Sequence, residues 1–150
     1  MKILKIIGVI LIIELIAIQF FPSELNQGNR EVPNDVAKVY NIPQQVERSL
    51  QVSCYDCHSN ATAYPWYNKI QPVAMYLENH VNDGKKHLNF SEFGGYSIDE
   101  QKKKLKEIRH EVEDGEMPLT SYTFIHKDAN LSAAEKKAII EWSKNLEASL

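Results

Sequence analysis

Glycine and proline are scarce in this chain, six of each in 150 residues, which excludes collagen-like repeats and argues against long disordered tracts. Positive charge is also in short supply: seventeen Lys and Arg against twenty Asp and Glu leave a formal net charge of -3. No basic excess exists to gather a phosphate backbone, so nucleic acid is not an expected partner. No stretch alternates apolar and polar residues for long enough to make a convincing strand, and no internal repeat is visible. Cysteine occurs only twice, too seldom for a multi-disulfide framework or a four-thiolate zinc site.

One long apolar run is present. Ile3 to Phe21 carry only Lys5 near their start and Glu14 in the middle, and the run is about as long as a helix that crosses a hydrocarbon core of roughly 30 Å. Lys2 and Lys5 form a positive flank of the kind retained in the cytoplasm, which sends the rest of the chain across the membrane. Residues 1–22 are therefore expected to be a single N-terminal transmembrane helix in an inner membrane, with the remainder on the periplasmic, exported side. A cleaved signal peptide starts in the same way, but Ile16 to Pro22 offer no small-x-small cleavage site. Residues 23–35 are polar, without apolar periodicity, and read as a linker.

From residue 36 onward the periodicity is helical. Pro43 suits a helix start, and Val46, Leu50 and Ser53 lead towards Cys54. Pro72 to Asp83 place Val73, Tyr76, Leu77 and His80 on one face, with Gly84 as the expected C-terminal stop. Between these two lies an expected loop, Asn60 to Tyr67. Capping boxes open two more helices: Ser97 to Glu100, running through Leu105, Ile108 and Val112 to Gly115, and Ser132 to Glu135, carrying Ala138, Ile139, Trp142 and Leu146. Residues 36–150 are thus expected to form one all-α domain.

The chemistry is concentrated in Cys54-Tyr55-Asp56-Cys57-His58, the Cys-x-x-Cys-His pattern of covalent c-type haem attachment. Thiols three positions apart on a helical turn can each form a thioether to one porphyrin edge, while the next residue sets its imidazole under the iron. A redox dithiol or disulfide, a zinc site and two ordinary buried thiols are the competing readings, and none of them accounts for His58. Met117, in Gly115-Glu116-Met117-Pro118, is the favoured distal ligand, because a loop stiffened by proline could bring its thioether over the ring. The alternatives are that Met117 merely fills a core gap, or that a histidine such as His126 replaces it. His80 reads as a core residue or a propionate contact, His110 as surface and His87 as loop. Tyr64, Trp66 and Tyr67 could form a wall beside the haem or could simply pack a core.

Taken together, Cys54-x-x-Cys57-His58-Ser59, Thr62, Tyr64-Pro65-Trp66-Tyr67, Gly84, Leu88-Asn89-Phe90-Ser91, Gly115, Met117-Pro118 and Leu131-Ser132-x-x-Glu135 to Trp142 resemble the bacterial haem-binding domain family of membrane-anchored, cytochrome c-like proteins. The resemblance covers roughly residues 36 to 148. More loosely, the order of elements is similar to class I cytochromes c. It implies a cytochrome c-like helical domain around one covalent haem c, His58 as proximal ligand and Met117 as distal ligand. The stretch from Gly84 to Ser97 has no counterpart in a small cytochrome c. The expected function is membrane-tethered electron transfer with a redox partner protein and no enzyme activity. The alternative is a haem-based ligand-binding, sensing or peroxidase-type protein with a displaceable sixth ligand.

Overall fold

A computed structural model describes residues 2–29 and 32–150. Met1 lies outside them, as do Arg30 and Glu31 within the expected linker. Among the described residues every regular element is helical, and the only strand-like feature is an isolated bridge between Gln27 and Ala61. The elements run α1 (Lys2–Ile18), α2 (Val36–Val39), α3 (Gln44–Ser53), α4 (Tyr55–His58), α5 (Val73–His87), α6 (Ile98–Asp114), α7 (Thr120–Ile125) and α8 (Ala133–Ser149), with 3-10 turns at Trp66–Lys69, Phe90–Gly95 and Lys127–Ala129.

The core is built from α3, α6 and α8 around the Phe90–Gly95 turn. Val46 and Leu50 from α3, Leu105, Ile108 and Val112 from α6, and Ile139 and Trp142 from α8 bury one another at helical spacing. Arg109 pairs with Glu147 at 2.6 Å, while Gly115 lies beside Lys136, so α6 and α8 run antiparallel. Both capping boxes form: Ser97 and Glu100 close the start of α6, and Ser132 and Glu135 that of α8. Phe90 and Phe93 fill the centre, almost wholly buried, inside the stretch that has no counterpart in a small cytochrome c.

Three expectations are corrected. Gly84 does not stop α5, which continues to His87. A Cβ at this position would stand 2.7 Å from the Cys57 carbonyl oxygen, so the glycine serves the close approach of α5 to α4. The expected transmembrane helix is also shorter than its apolar run. It ends at Ile18, because Gln19 and Phe21 are drawn onto the domain by Gln71 and Pro22 comes next. At 1.5 Å per residue its length is about 25 Å, and among the described residues no helix is long and apolar enough to cross a membrane.

The third correction concerns the linker, whose described N-terminal half is fastened down. Asn26 donates its backbone N–H to the Tyr64 hydroxyl at 2.9 Å. Its side-chain amide donates to the Ser59 carbonyl at 2.9 Å and to Thr62 Oγ1 at 3.0 Å. It also receives hydrogen bonds from Lys85 Nζ and the Thr62 backbone. Every polar group of this residue is therefore engaged, and residues 19–29 form a strap across the loop after α4.

Candidate functional site

Cys54 sits at the break between α3 and α4, its N–H still bonded to the Leu50 carbonyl at 2.9 Å. The N–H groups of Cys57 and His58 return to the Cys54 carbonyl at 3.1 and 2.9 Å, which holds the two thiols i and i+3 on one turn. The two residues between them fix that turn in opposite directions. Tyr55 stacks on Phe90 with ring centroids 5.2 Å apart and donates to Asp35 Oδ1, which ties the turn to the core. Asp56 accepts from the Ala63 N–H at 3.0 Å and from the Tyr122 hydroxyl at 2.9 Å, which ties it to the next loop and to α7.

His58 is mostly buried, and its Nδ1 lies 3.1 Å from the Leu88 carbonyl. A carbonyl can only accept, so Nδ1 carries the hydrogen and Nε2 keeps its lone pair free. Burial lowers the His58 pKa below the usual histidine value, which also favours the neutral ring. Both thiols are free rather than joined to each other. Burial pushes Cys54 up to about 12 and Cys57 up to about 11, with the neighbouring Cys57 and Asp56 adding to the respective effects. Neutral thiols are the opposite of what an activated redox dithiol requires. Among the described residues no cluster of three or more His, Cys, Asp or Glu side chains could hold a metal ion.

A cavity of about 450 Å³ opens beside this turn. Cys54, Cys57 and His58 line one side of it, with Leu50 of α3 and Phe90 nearby. Ile108 and Val112 of α6 and Ile139 of α8 supply apolar lining, and Met117 and Leu119 close it from the α6–α7 connection. Gly115, at φ 76°, takes the left-handed conformation that reverses the chain after α6. The Met117 N–H then returns to the Glu111 carbonyl at 3.0 Å, so the thioether is carried by a fixed loop. Lys104, Glu107, Glu111 and Asp83 add charge to the lining, and Lys104 meets Glu107 at 3.3 Å.

The structure therefore brings Cys54, Cys57, His58 and Met117 together. Tyr64, Trp66 and Tyr67, expected as a possible wall, do not line this cavity. Trp66 is 75% exposed, Tyr64 is occupied with Asn26, and the Tyr67 hydroxyl meets His126 Nε2 at 2.7 Å. Tyr64, Tyr67 and His126 border a separate cleft of about 30 Å³ behind Cys57. His126 does not line the main cavity and stacks on Tyr122, which does. His80 and His87 do line the cavity, while His110 pairs with Asp114 on the surface. Tyr122, the α6 face and the Leu88 carbonyl were missed from the sequence. Only the apolar spacing of α6 carried any signal of them.

The donor set suits a large, flat, apolar group held at its centre: an imidazole nitrogen and a thioether as soft ligands, two neutral thiols at one edge, and mostly apolar walls. A family model described as a haem-binding domain matches residues 13–145. No curated protein and no solved structure matches the chain.

Proposed function

The chain belongs to the haem-binding domain family, and from that premise we propose that it carries one haem c joined to Cys54 and Cys57, and passes single electrons without turning over a substrate. The observation that carries this reading is the apolar cavity lined by both thiols, the His58 ring and the Met117 thioether. When bound, the haem supplies one-electron chemistry at its iron. Cys54 and Cys57 would hold its edge, and His58 would offer Nε2 as the proximal ligand, oriented by the Leu88 carbonyl. Met117 would be the distal ligand, and a thioether opposite imidazole raises the reduction potential. Leu50, Ile108, Val112 and Ile139, which line the cavity, would keep water from the haem.

The same reading extends to α1. Apart from Lys2, Lys5 and Glu14 its residues are apolar and none is buried, an arrangement that water disfavours by about 25 cal/mol per Å² of apolar surface. Seated in lipid, α1 holds the domain at a membrane, where a redox partner is to be met. A second reading, ligand sensing or peroxidase-type chemistry, is favoured by His80. This residue lines the cavity, and the contact of its Nδ1 with the Tyr76 carbonyl at 2.9 Å orients the ring.

Absorption spectra of the full chain, co-produced with haem c attachment machinery, test these readings. The carrier predicts haem retained through denaturation, a low-spin reduced spectrum indifferent to carbon monoxide, and the weak red band of a sulfur–iron bond when oxidised. A high-spin spectrum that responds to carbon monoxide would replace the carrier with the second reading. Absence of haem would remove both.

A further inference from the structure

The strap that leaves α1 first meets the domain at Gln71. Gln19 donates to the Gln71 carbonyl at 3.1 Å and accepts from the Gln71 N–H at 3.0 Å. The Gln71 side chain donates to the Phe21 carbonyl at 2.7 Å and to Ser23 Oγ at 3.0 Å, and it accepts from the Met75 N–H at 3.1 Å. Gln71 itself is buried, so its side of this joint is shielded from competing water. A helix fastened in this way keeps a set direction relative to the domain.

Around the joint the surface is apolar. Phe21 is 65% exposed, Ile70 46% and Val73 37%, and Trp66 projects from the turn that ends just before Ile70. From Cys57 to Leu77 the sequence contains no acidic residue, although the chain has twenty, and the one cation within Trp66–Lys69 is the exposed Lys69. Exposed aromatic and aliphatic side chains with one lysine, in a stretch from Cys57 to Leu77 free of carboxylates, match the interfacial layer of a phospholipid bilayer, where tryptophan rings and snorkelling lysines settle.

We propose that the haem-binding domain lies directly on the bilayer through the face bearing Phe21, Trp66, Ile70 and Val73, in one pose set by the Gln19–Gln71 joint. The proposal rests on the reading that α1 is seated in lipid. It replaces a domain swinging on a flexible linker with one whose cavity has a fixed orientation to the membrane. Lipid is the occupant, because the anchor enters the bilayer at the edge of this same face.

The test uses the full haem-loaded chain in phospholipid vesicles containing a lipid with a photoactivatable diazirine on its acyl chain, with crosslinked residues mapped by mass spectrometry. Crosslinks are expected in α1 and at Trp66 and Ile70, but not at Val52 or Ile98, which are exposed apolar residues on α3 and α6. Gln71→Ala is expected to cut crosslinking at Trp66 at least several-fold while leaving that of α1 unchanged. Crosslinks confined to α1 would overturn the fixed pose and leave the anchor standing. Equal labelling of Ile98 and Trp66 would overturn it as non-selective adhesion, and no crosslinks anywhere would remove the anchor reading as well.

Discussion

On the proposed reading, Met117 divides an electron carrier from a haem with an open face. It is held by the Gly115 reversal and its own N–H bond to Glu111, so Met117→Ala removes the thioether without unmaking the loop. The expected outcome is a reduced protein that binds carbon monoxide and a midpoint potential lower by roughly 0.1 V or more, within the range of about 0.8 V over which axial ligands act. Spectropotentiometry measures both. The grouping of Cys54, Cys57 and His58 at one edge of the cavity was legible in the sequence because the three sit within five consecutive residues. The walls were not, since they come from α3, α6, α8 and the α6–α7 connection, far apart in the chain. Trp66 and Tyr67 illustrate the reverse error: adjacent aromatics looked like one wall, yet Tyr67 turns to His126 and Trp66 to solvent.

Elements were legible where their ends are marked. Ser97 and Ser132 close real capping boxes, and hydrogen bonds from these serines hold Glu100 and Glu135 below the usual carboxylate pKa. A carboxylate with a depressed folded value contributes stability above its unfolded value, near 4.5, and loses that contribution as pH falls through the lower folded one. The urea midpoint should therefore decline between about pH 5 and 3, and the double change Glu100→Gln, Glu135→Gln should flatten that decline. Gly84 was misread because a glycine near a helix end usually marks a stop, whereas here it admits the Cys57 carbonyl. Gly84→Ala should gain about 0.5–1 kcal/mol of helix propensity. It should lose about 1–3 kcal/mol to the overpacked contact with backbone that cannot yield, giving a net destabilisation measurable by urea unfolding. The Phe90–Gly95 turn escaped notice because a single 3-10 turn has no period to detect.

The whole molecule is organised around the segment just after α4, clasped from one side by α5 and from the other by the strap. Asn26 is the clasp, and no local pattern in residues 23–35 announces it, because its partners lie more than thirty residues away. Asn26→Ala removes three side-chain hydrogen bonds while keeping the backbone ones. At about 0.5–1 kcal/mol each, the chain should lose about 1–3 kcal/mol. Amide exchange at Gly28 and Thr62, whose N–H groups bond across the clasp, should accelerate together. The clasp also decides where the chain can be shortened. A version starting at Ser23 gives up the Gln19 and Phe21 bonds to Gln71 but retains Asn26, and should melt above one that lacks the clasp. One starting at Val36, the conventional place to trim an apparent linker, strips Ser59, Thr62, Tyr64 and Lys85 of their shared partner and bares the back of the Cys54–His58 turn.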